Sequence, residues 1–311
     1  MKILLIGMGS IGKKHFSVFS GHGCHIDSYD PFEIEATFNS EKDVDFSSYD
    51  AYIVSSPSDT HLHYLEMLIC FDKPIFVEKP LVTSEEELNK VIDIDDGNRI
   101  VSACNLFFYW PILKLKELMD MNILGDIYSA DFYFCHDLSQ QRDNIRSYAL
   151  DSTSCGCWLD VASHELAIIY KLFPGNHNEF SYSIGNRKYG FKDESVKAIF
   201  KVDNRTLLSL NMDLLSKVRR RGCVVVGEKG VFEWREVGKP PVVNVTVHYT
   251  NESFDTFYPA DNKSMFEKQA VEFLKFCNHQ IDNFYPLDEA ISTTKVILKH
   301  KNIIDTIGNG N

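Results

Sequence analysis

The sequence predicts an α/β domain on a parallel sheet over residues 1–120. An α+β domain follows over residues 121–311, carrying a large, mostly antiparallel open sheet. Three observations lead there. Short apolar runs alternate with helix-like segments from residue 2 to about 122, the rhythm of βαβ units. The first apolar run breaks directly into a glycine cluster at 7–12. From about residue 125 the alternation stops, and successive strand-like runs separated by turn residues take over.

In the first region, residues 2–6 (KILLI) read as a strand and 11–20 as a helix. Residues 24–29 (CHIDSY) alternate as a strand and stop at Asp30-Pro31, and AYIVSS (51–56) is a third strand ended by Pro57. A helix is expected over 59–71 and a strand at 75–77. Thr83-Ser84-Glu85-Glu86-Glu87 supplies a cap and an acidic first turn for a helix to about 95. A strand at 99–105 and a helix at 111–122 complete the alternation.

In the second region, strands are expected at 126–136, 179–186, 195–203, 206–214, 221–228, 230–236 and 242–250. Asp203-Asn204 and Glu228-Lys229-Gly230 are the hairpin turns between them. One helix, about 158–172, interrupts this set. Two more close the chain at about 264–279 and 287–306, the last expected to pack back on the first domain.

Composition narrows the function. The formal net charge of −12 argues against non-specific binding to nucleic acid or to an anionic membrane. Eight cysteines include no C-x-x-C pair, so a zinc ribbon or thioredoxin-type site is not expected, and no metal is. Reduced thiols in a cytoplasmic protein are the expectation. The opening MKILLIGMG is too short for a signal-peptide core, and no window reaches the roughly 20 apolar residues of a membrane span.

The strongest motif is Gly7-Met8-Gly9-Ser10-Ile11-Gly12, a G-x-G-x-x-G between a strand and a helix. Its glycines permit a tight turn, close approach of backbone to a pyrophosphate, and close helix–strand packing, while the helix N-terminus favours the phosphate charge. Asp30 ends the next strand, where its carboxylate would accept from ribose hydroxyls and repel a 2′-phosphate. The expectation is a Rossmann domain that binds NAD rather than NADP through Gly7, Gly9, Ser10, Ile11, Gly12 and Asp30. Ser56 and Pro57 end the third strand, and the helix start carrying His61 would lie beside the dinucleotide; an exposed helix histidine is the plainer alternative for His61.

Two further stretches carry chemistry. KPIFVEKPL (73–81) is an apolar strand that delivers Glu78 and Lys79 side by side at its tip, where open parallel sheets bind ligands. In GCWLDVASHELAIIYKLF (156–173), Asp160 and His164 are four apart on a largely apolar helix and so share a face. Histidine is a natural general base near neutral pH, and a carboxylate neighbour would orient it. A satisfied polar pair on a core helix is the alternative. Glu165, one position round, reads as structural.

Taken in order, the N-terminal G-x-G-x-x-G, the acidic end of strand two, SPSDTHLHY, EKP and D-x-x-x-H resemble the Gfo/Idh/MocA family of sugar oxidoreductases. The resemblance implies a Rossmann domain followed by an open-sheet α+β domain, and hydride transfer between a sugar carbon and nicotinamide. It implies that Lys79, Asp160 and His164 form the catalytic set, that Glu78, Lys79 and Asn105 lie at the nicotinamide, and that the chain forms a homodimer or homotetramer through the second-domain sheet. The chain departs from many relatives in having Cys155-Gly156-Cys157-Trp158 where they carry a glycine run, and aromatics, Tyr109 among them, where they carry an arginine. Tyr109 would then contact the substrate. So would Arg146 and Tyr148, with Arg142, from the stretch 140–152, meeting an anionic group; a solvated surface loop is the alternative there. KVRRRGC (217–223) reads as a charge run at a strand edge rather than a ligand site. The wording around ASHELAII and VVVGEKGVFEW resembles members associated with bacterial surface-sugar and nonulosonic-acid pathways. Two other functions fit the same motifs: transient use of bound NAD for elimination or epimerisation of a sugar, and a non-catalytic NAD(P)-binding regulator.

Overall fold

The computed structural model describes residues 1–94, 96–140, 156–185, 188–189, 193–261 and 263–308. The chain divides into two compact units, Met1–Phe108 with Lys263–Leu298, and Tyr109–Asn262 with Lys299–Asn311.

The first unit is a five-stranded parallel sheet in the order β2-β1-β3-β4-β5. The strands are β1 (Lys2–Ile6), β2 (His25–Tyr29), β3 (Ala51–Val54), β4 (Ile75–Val77) and β5 (Ile100–Ser102). Ile3, Leu4, Leu5 and Ile6 are all buried. Neighbouring side chains point to opposite faces, so both faces of the sheet are covered. Helix α1 (Ser10–Gly21) follows the glycine cluster, and α2 (His61–Leu68) is flanked by short 3₁₀ turns at Ser58–Thr60 and Ile69–Phe71. Helix α3 (Glu85–Ile92) starts in a capping box: Ser84 Oγ accepts from the Glu87 N–H, and the Glu87 carboxylate accepts from the Ser84 N–H.

A segment remote in sequence completes this unit. Helix α6 (Met265–Cys277) sets Phe273 among Ile3, Leu5, Phe19, Phe76 and Val101. Its ring lies 5.2 Å from that of Phe76 and 6.0 Å from that of Phe19. Burying one such phenylalanine contributes about 1.5–3 kcal/mol. Helix α7 (Leu287–Gly308) follows, and its residues up to Leu298 belong to this unit.

The second unit begins with α4 (Trp110–Asp120). Its sheet has eight strands in the order β13-β12-β11-β10-β6-β9-β8-β7. These are β6 (Ile127–Asp137), β7 (His177–Gly185), β8 (Ser195–Val202), β9 (Thr206–Asp213), β10 (Leu215–Gly227), β11 (Gly230–Val237), β12 (Val242–Tyr249) and β13 (Phe254–Phe257). All neighbours are antiparallel except β6 and β9. Asp203 and Asn204 both adopt left-handed φ, 49° and 58°, as the tight turn between β8 and β9 requires.

One face of this sheet is packed. Phe132, Cys223, Trp234, Leu210 and Ala198 pair across it and are buried, and Phe173, after helix α5 (Ala162–Leu172), meets Phe132 edge-on. The opposite face carries Tyr133, Lys197, Ile199, Ser209 and Arg220, around an open depression of about 390 Å³.

Three sequence expectations are corrected here. The charge run 217–223 lies within the long strand β10, between β6 and β11, and not at a sheet edge. Strand β13 was not anticipated; its four residues are too few to show a period. The expected 158–172 helix opens with a π-helical turn over Cys157–Val161, so only Ala162 onward is α-helical.

Candidate active site

In the first unit the candidate residues gather at the carboxyl ends of the strands. Gly7 turns the chain with φ +92°, and a Cβ there would lie 2.5 Å from the Ser56 nitrogen. A Cβ on Gly12 would lie 2.0 Å from the Gly7 carbonyl oxygen. A Cβ on Gly9 would meet nothing within 4 Å. The first and third glycines are therefore dictated by packing, and the second leaves an opening in front of α1. No side chain caps that helix, and its first turn holds no acidic residue. Its leading N–H groups and positive dipole end are available to an anion such as a dinucleotide pyrophosphate. Ser10 and Ile11 form that first turn and are exposed.

Asp30 holds the neighbouring loop together. Its Oδ2 accepts the Met8 N–H at 2.8 Å, and its Oδ1 accepts the N–H groups of Phe32 and Glu33 at 2.9 and 3.1 Å. Each carboxylate oxygen has two acceptor positions. Among the described residues Oδ1 is filled and Oδ2 keeps one, enough for one ribose hydroxyl. The glycine opening, the uncapped helix and this spare acceptor fit NAD.

Behind the loop, Ser55 Oγ donates to the Gly7 carbonyl at 2.8 Å, and Ser56 Oγ accepts from Thr60 Oγ1 at 2.7 Å. Pro57 precedes the 3₁₀ turn. His61 is fully buried, contrary to the exposed alternative drawn from the sequence. Its Nε2 faces the Ser56 carbonyl and its Nδ1 the Pro80 carbonyl, both at 3.0 Å, so it ties the end of β3 to the loop after β4. Burial pushes its pKa down, against the carbonyls and the Glu78 charge.

At the tip of β4, Glu78 turns back into its own unit. Its Oε1 lies 2.7 Å from Nε2 of the buried His15 on α1, and its Oε2 accepts the Lys79 N–H at 3.2 Å. Burial pushes the Glu78 pKa up, but the His15 hydrogen bond and charge and the Lys79 charge outweigh it, and the net shift is downward. Lys79 is half-buried and precedes a cis peptide to Pro80. Asn105 follows β5 in a 3₁₀ turn; its N–H and that of Cys104 reach the Gln269 amide oxygen of α6 at 3.3 and 3.0 Å.

In the second unit, Asp160 and His164 are presented by a pinned turn. Gly156 has φ +100°, and a Cβ there would lie 2.0 Å from Asp193 Oδ1. Asp193 accepts the Trp158 N–H on its side chain at 2.7 Å and the Cys157 N–H on its carbonyl at 3.0 Å. The π-helical turn begins from this anchor. The Asp160 N–H bonds the Gly156 carbonyl at 3.3 Å, and Ser163 Oγ donates to the Asp160 carbonyl at 2.9 Å. Asp160 and His164 are both half-buried, Asp160 within the π-helical turn and His164 in the α-helix that continues it. Arg142, Arg146 and Tyr148 lie outside the described residues.

A buried polar layer, not foreseen from the sequence, lies on the packed face of the same sheet. Arg221 pairs with Glu165, and Arg219 with Glu236. Tyr109 donates to Glu236 at 2.6 Å and lies edge-on to Trp234. Burial pushes the Glu165 pKa up despite Arg221. His136, at the end of β6, is 4% exposed, and its Nδ1 has no partner among the described residues. Burial, then the Arg219 charge, lowers its pKa to about 4, with Asp160 opposing. The charge run 217–223 was the one signal in the sequence; strand alternation sends Arg219 and Arg221 to one face.

Comparison with known proteins gives a family. Residues 27–102 match the oxidoreductase family with an NAD-binding Rossmann fold, and residues 112–233 match the Gfo/Idh/MocA C-terminal domain. Oxidoreductase P35 of Formosa agariphila is 24% identical over 201 residues, 62% of this chain and 62% of that protein, so the chain spans less than two thirds of that relative. Inositol 2-dehydrogenase of Klebsiella pneumoniae is 24% identical over 255 residues, 74% of this chain and 73% of that protein. The fold is similar to that of the WlbA dehydrogenase from Bordetella pertussis, solved with NADH and UDP-GlcNAcA. The TM-score is 0.74 at 15% identity, over 96% of this chain and 94% of that one. A parallel sheet whose glycine cradle fits NAD, an eight-stranded second sheet, and matches to both domains place this chain in the Gfo/Idh/MocA oxidoreductase family.

Proposed function

We propose that this chain is an NAD-dependent dehydrogenase that oxidises a carbinol, or reduces the matching ketone, of a sugar or nucleotide sugar. The observation that carries the reading is the opening at Gly9 beside the spare acceptor of Asp30. Bound NAD would supply the hydride acceptor. The roles implied by the family resemblance suit the side chains. His164 takes the hydroxyl proton in oxidation and returns it in reduction. The Lys79 ammonium hydrogen-bonds the reacting oxygen and stabilises its developing negative charge. Asp160 holds a neighbouring hydroxyl. The inositol dehydrogenase relative and the UDP-sugar-bound neighbour support the substrate class, and surface-sugar biosynthesis is the setting that the sequence wording favours.

Two assignments accompany this. The chain assembles as a homodimer or homotetramer through the open face of its second sheet, where Ile199 and Leu207 are about half exposed. It works in the cytoplasm, in keeping with the described cysteines, all of which are free thiols. Among the described residues no helix is long and apolar enough to cross a membrane.

The test is titration of nucleotide-stripped protein with NADH, followed by turnover assays with polyols and UDP-sugars. Lys79→Ala and His164→Ala should each lower turnover about 10²–10⁴-fold and leave NADH binding intact. Full activity in both variants overturns the reading. Light scattering at micromolar concentration tests the assembly, and a monomeric mass would refute it.

A further inference from the structure

We propose that Lys13, Glu33 and Glu35 act together as a selectivity latch: the two glutamates occupy a lysine that could otherwise receive a 2′-phosphate, so rejection of NADP does not rest on Asp30 alone. The inference depends on the NAD reading above and concerns the adenosine end of that site.

The residues come from two segments, the start of α1 and the turn after Asp30. Lys13 follows Gly12 in the first turns of α1, and its Nζ reaches across to Glu33 Oε2 at 2.9 Å and Glu35 Oε2 at 3.5 Å. Glu33 belongs to the turn that closes over Asp30, since its N–H donates to Asp30 Oδ1. A ribose that bonds the free position on Asp30 Oδ2 brings its 2′ substituent beside this group. A hydroxyl there carries no charge. A phosphate meets three carboxylates, and the nearby lysine is already engaged by two of them.

Asp30 is also a structural part. It accepts three backbone N–H groups, from the glycine loop and from the turn at 32–33. Removing it loosens the loop for either cofactor. Glu33 and Glu35 hold Lys13 only through side chains that are 29% and 71% exposed, so neutralising them leaves the fold alone. Surface pairs of this kind are weak and screened by salt, so releasing both is expected to shift an affinity by about tenfold at most.

The experiment is equilibrium fluorescence titration with NADH and NADPH at low and at physiological salt. It uses the wild type, Glu33→Gln/Glu35→Gln, the same pair with Lys13→Ala, and Asp30→Ala. The double variant should bind NADPH about tenfold tighter with NADH changed less than about threefold, the gain shrinking in salt. Adding Lys13→Ala should cancel the gain, and Asp30→Ala should weaken both cofactors. The latch is overturned if the double variant leaves NADPH unchanged, if the gain survives loss of Lys13, or if Asp30→Ala alone inverts the preference. Absence of NADH binding in the wild type overturns the NAD reading and the latch with it. Normal NADH binding with an unmoved NADPH affinity overturns the latch only.

Discussion

His15 on α1 and Glu78 at the tip of β4 are joined at 2.7 Å between Nε2 and Oε1, across 63 residues of sequence. This bond answers why an apolar strand ends in a carboxylate. Glu78 ties the first helix to the fourth strand, and the bond to its Oε2 sets the backbone of Lys79. A partly buried, charge-assisted bond of this sort contributes about 1.5–3 kcal/mol.

Replacing Glu78 tests that role. Glu78→Gln should lose about 1–3 kcal/mol of unfolding free energy at pH 7 in urea denaturation. The folded-state pKa of Glu78 is depressed below its ordinary value near 4.5. Its contribution is therefore complete above that pH and disappears as the pH falls through the folded value. The gap between wild type and variant should close in acid. A gap independent of pH would mean that packing, not charge, is what the substitution removes.

The glycines separate binding from folding. Gly9→Ala should leave the melting temperature within about 2 °C, a shift of well under 1 kcal/mol, because its Cβ enters open space. It should weaken NADH binding at least about tenfold, since a methyl group takes the room of a phosphate oxygen. Gly12→Ala should destabilise the unit outright, its Cβ lying 2.0 Å from a carbonyl oxygen. Thermal melts with parallel NADH titrations distinguish the two. Equal loss of stability in both variants contradicts the assignment.

His136 predicts acid sensitivity. Its pKa is lowered to about 4 by burial and by Arg219, from an ordinary value of 6.5. The unfolded chain thus binds this proton before the folded chain does. The associated stability is intact above pH 6.5 and declines down to about pH 4, by on the order of 3 kcal/mol. His136→Gln should flatten that part of the stability–pH curve, as measured by urea unfolding at half-unit steps. An unchanged slope would show that His136 titrates normally.

The Glu165–Arg221 pair is buried on both sides, at 1% and 7% exposure. Glu165→Gln or Arg221→Met alone should cost about 3–5 kcal/mol, because each strands the other charge. The double variant should cost clearly less than the sum. A double-mutant cycle reads the coupling directly, and additive losses would deny that the pair acts as a unit.

Much of the nucleotide half was legible in the residues. The G-x-G-x-x-G, the five strands and Asp30 all follow from local requirements: a left-handed turn at Gly7, no room at Gly12, a carboxylate at a strand end. Such requirements act between near neighbours and leave a pattern in contiguous sequence. The second sheet was legible as strands, since alternation is also local, down to the turn at Asp203-Asn204.

The tertiary structure alone decided the partners. No period in the sequence announces that Phe273 fills the core of a sheet begun at residue 2, that β6 and β9 pair in parallel, or that Arg221 and Glu165 meet across 56 residues. The charges of 217–223 read as surface because isolated charges are costly to bury. Lys217 and Arg220 are indeed exposed, whereas Arg221 is buried and Arg219 partly so, each against a carboxylate delivered by another element. His61 was expected beside the dinucleotide, or else exposed; in the fold its buried ring is held between two backbone carbonyls from separate loops. Local chemistry writes the elements and the nucleotide cradle; pairing between remote elements settles which polar groups are hidden and what holds them.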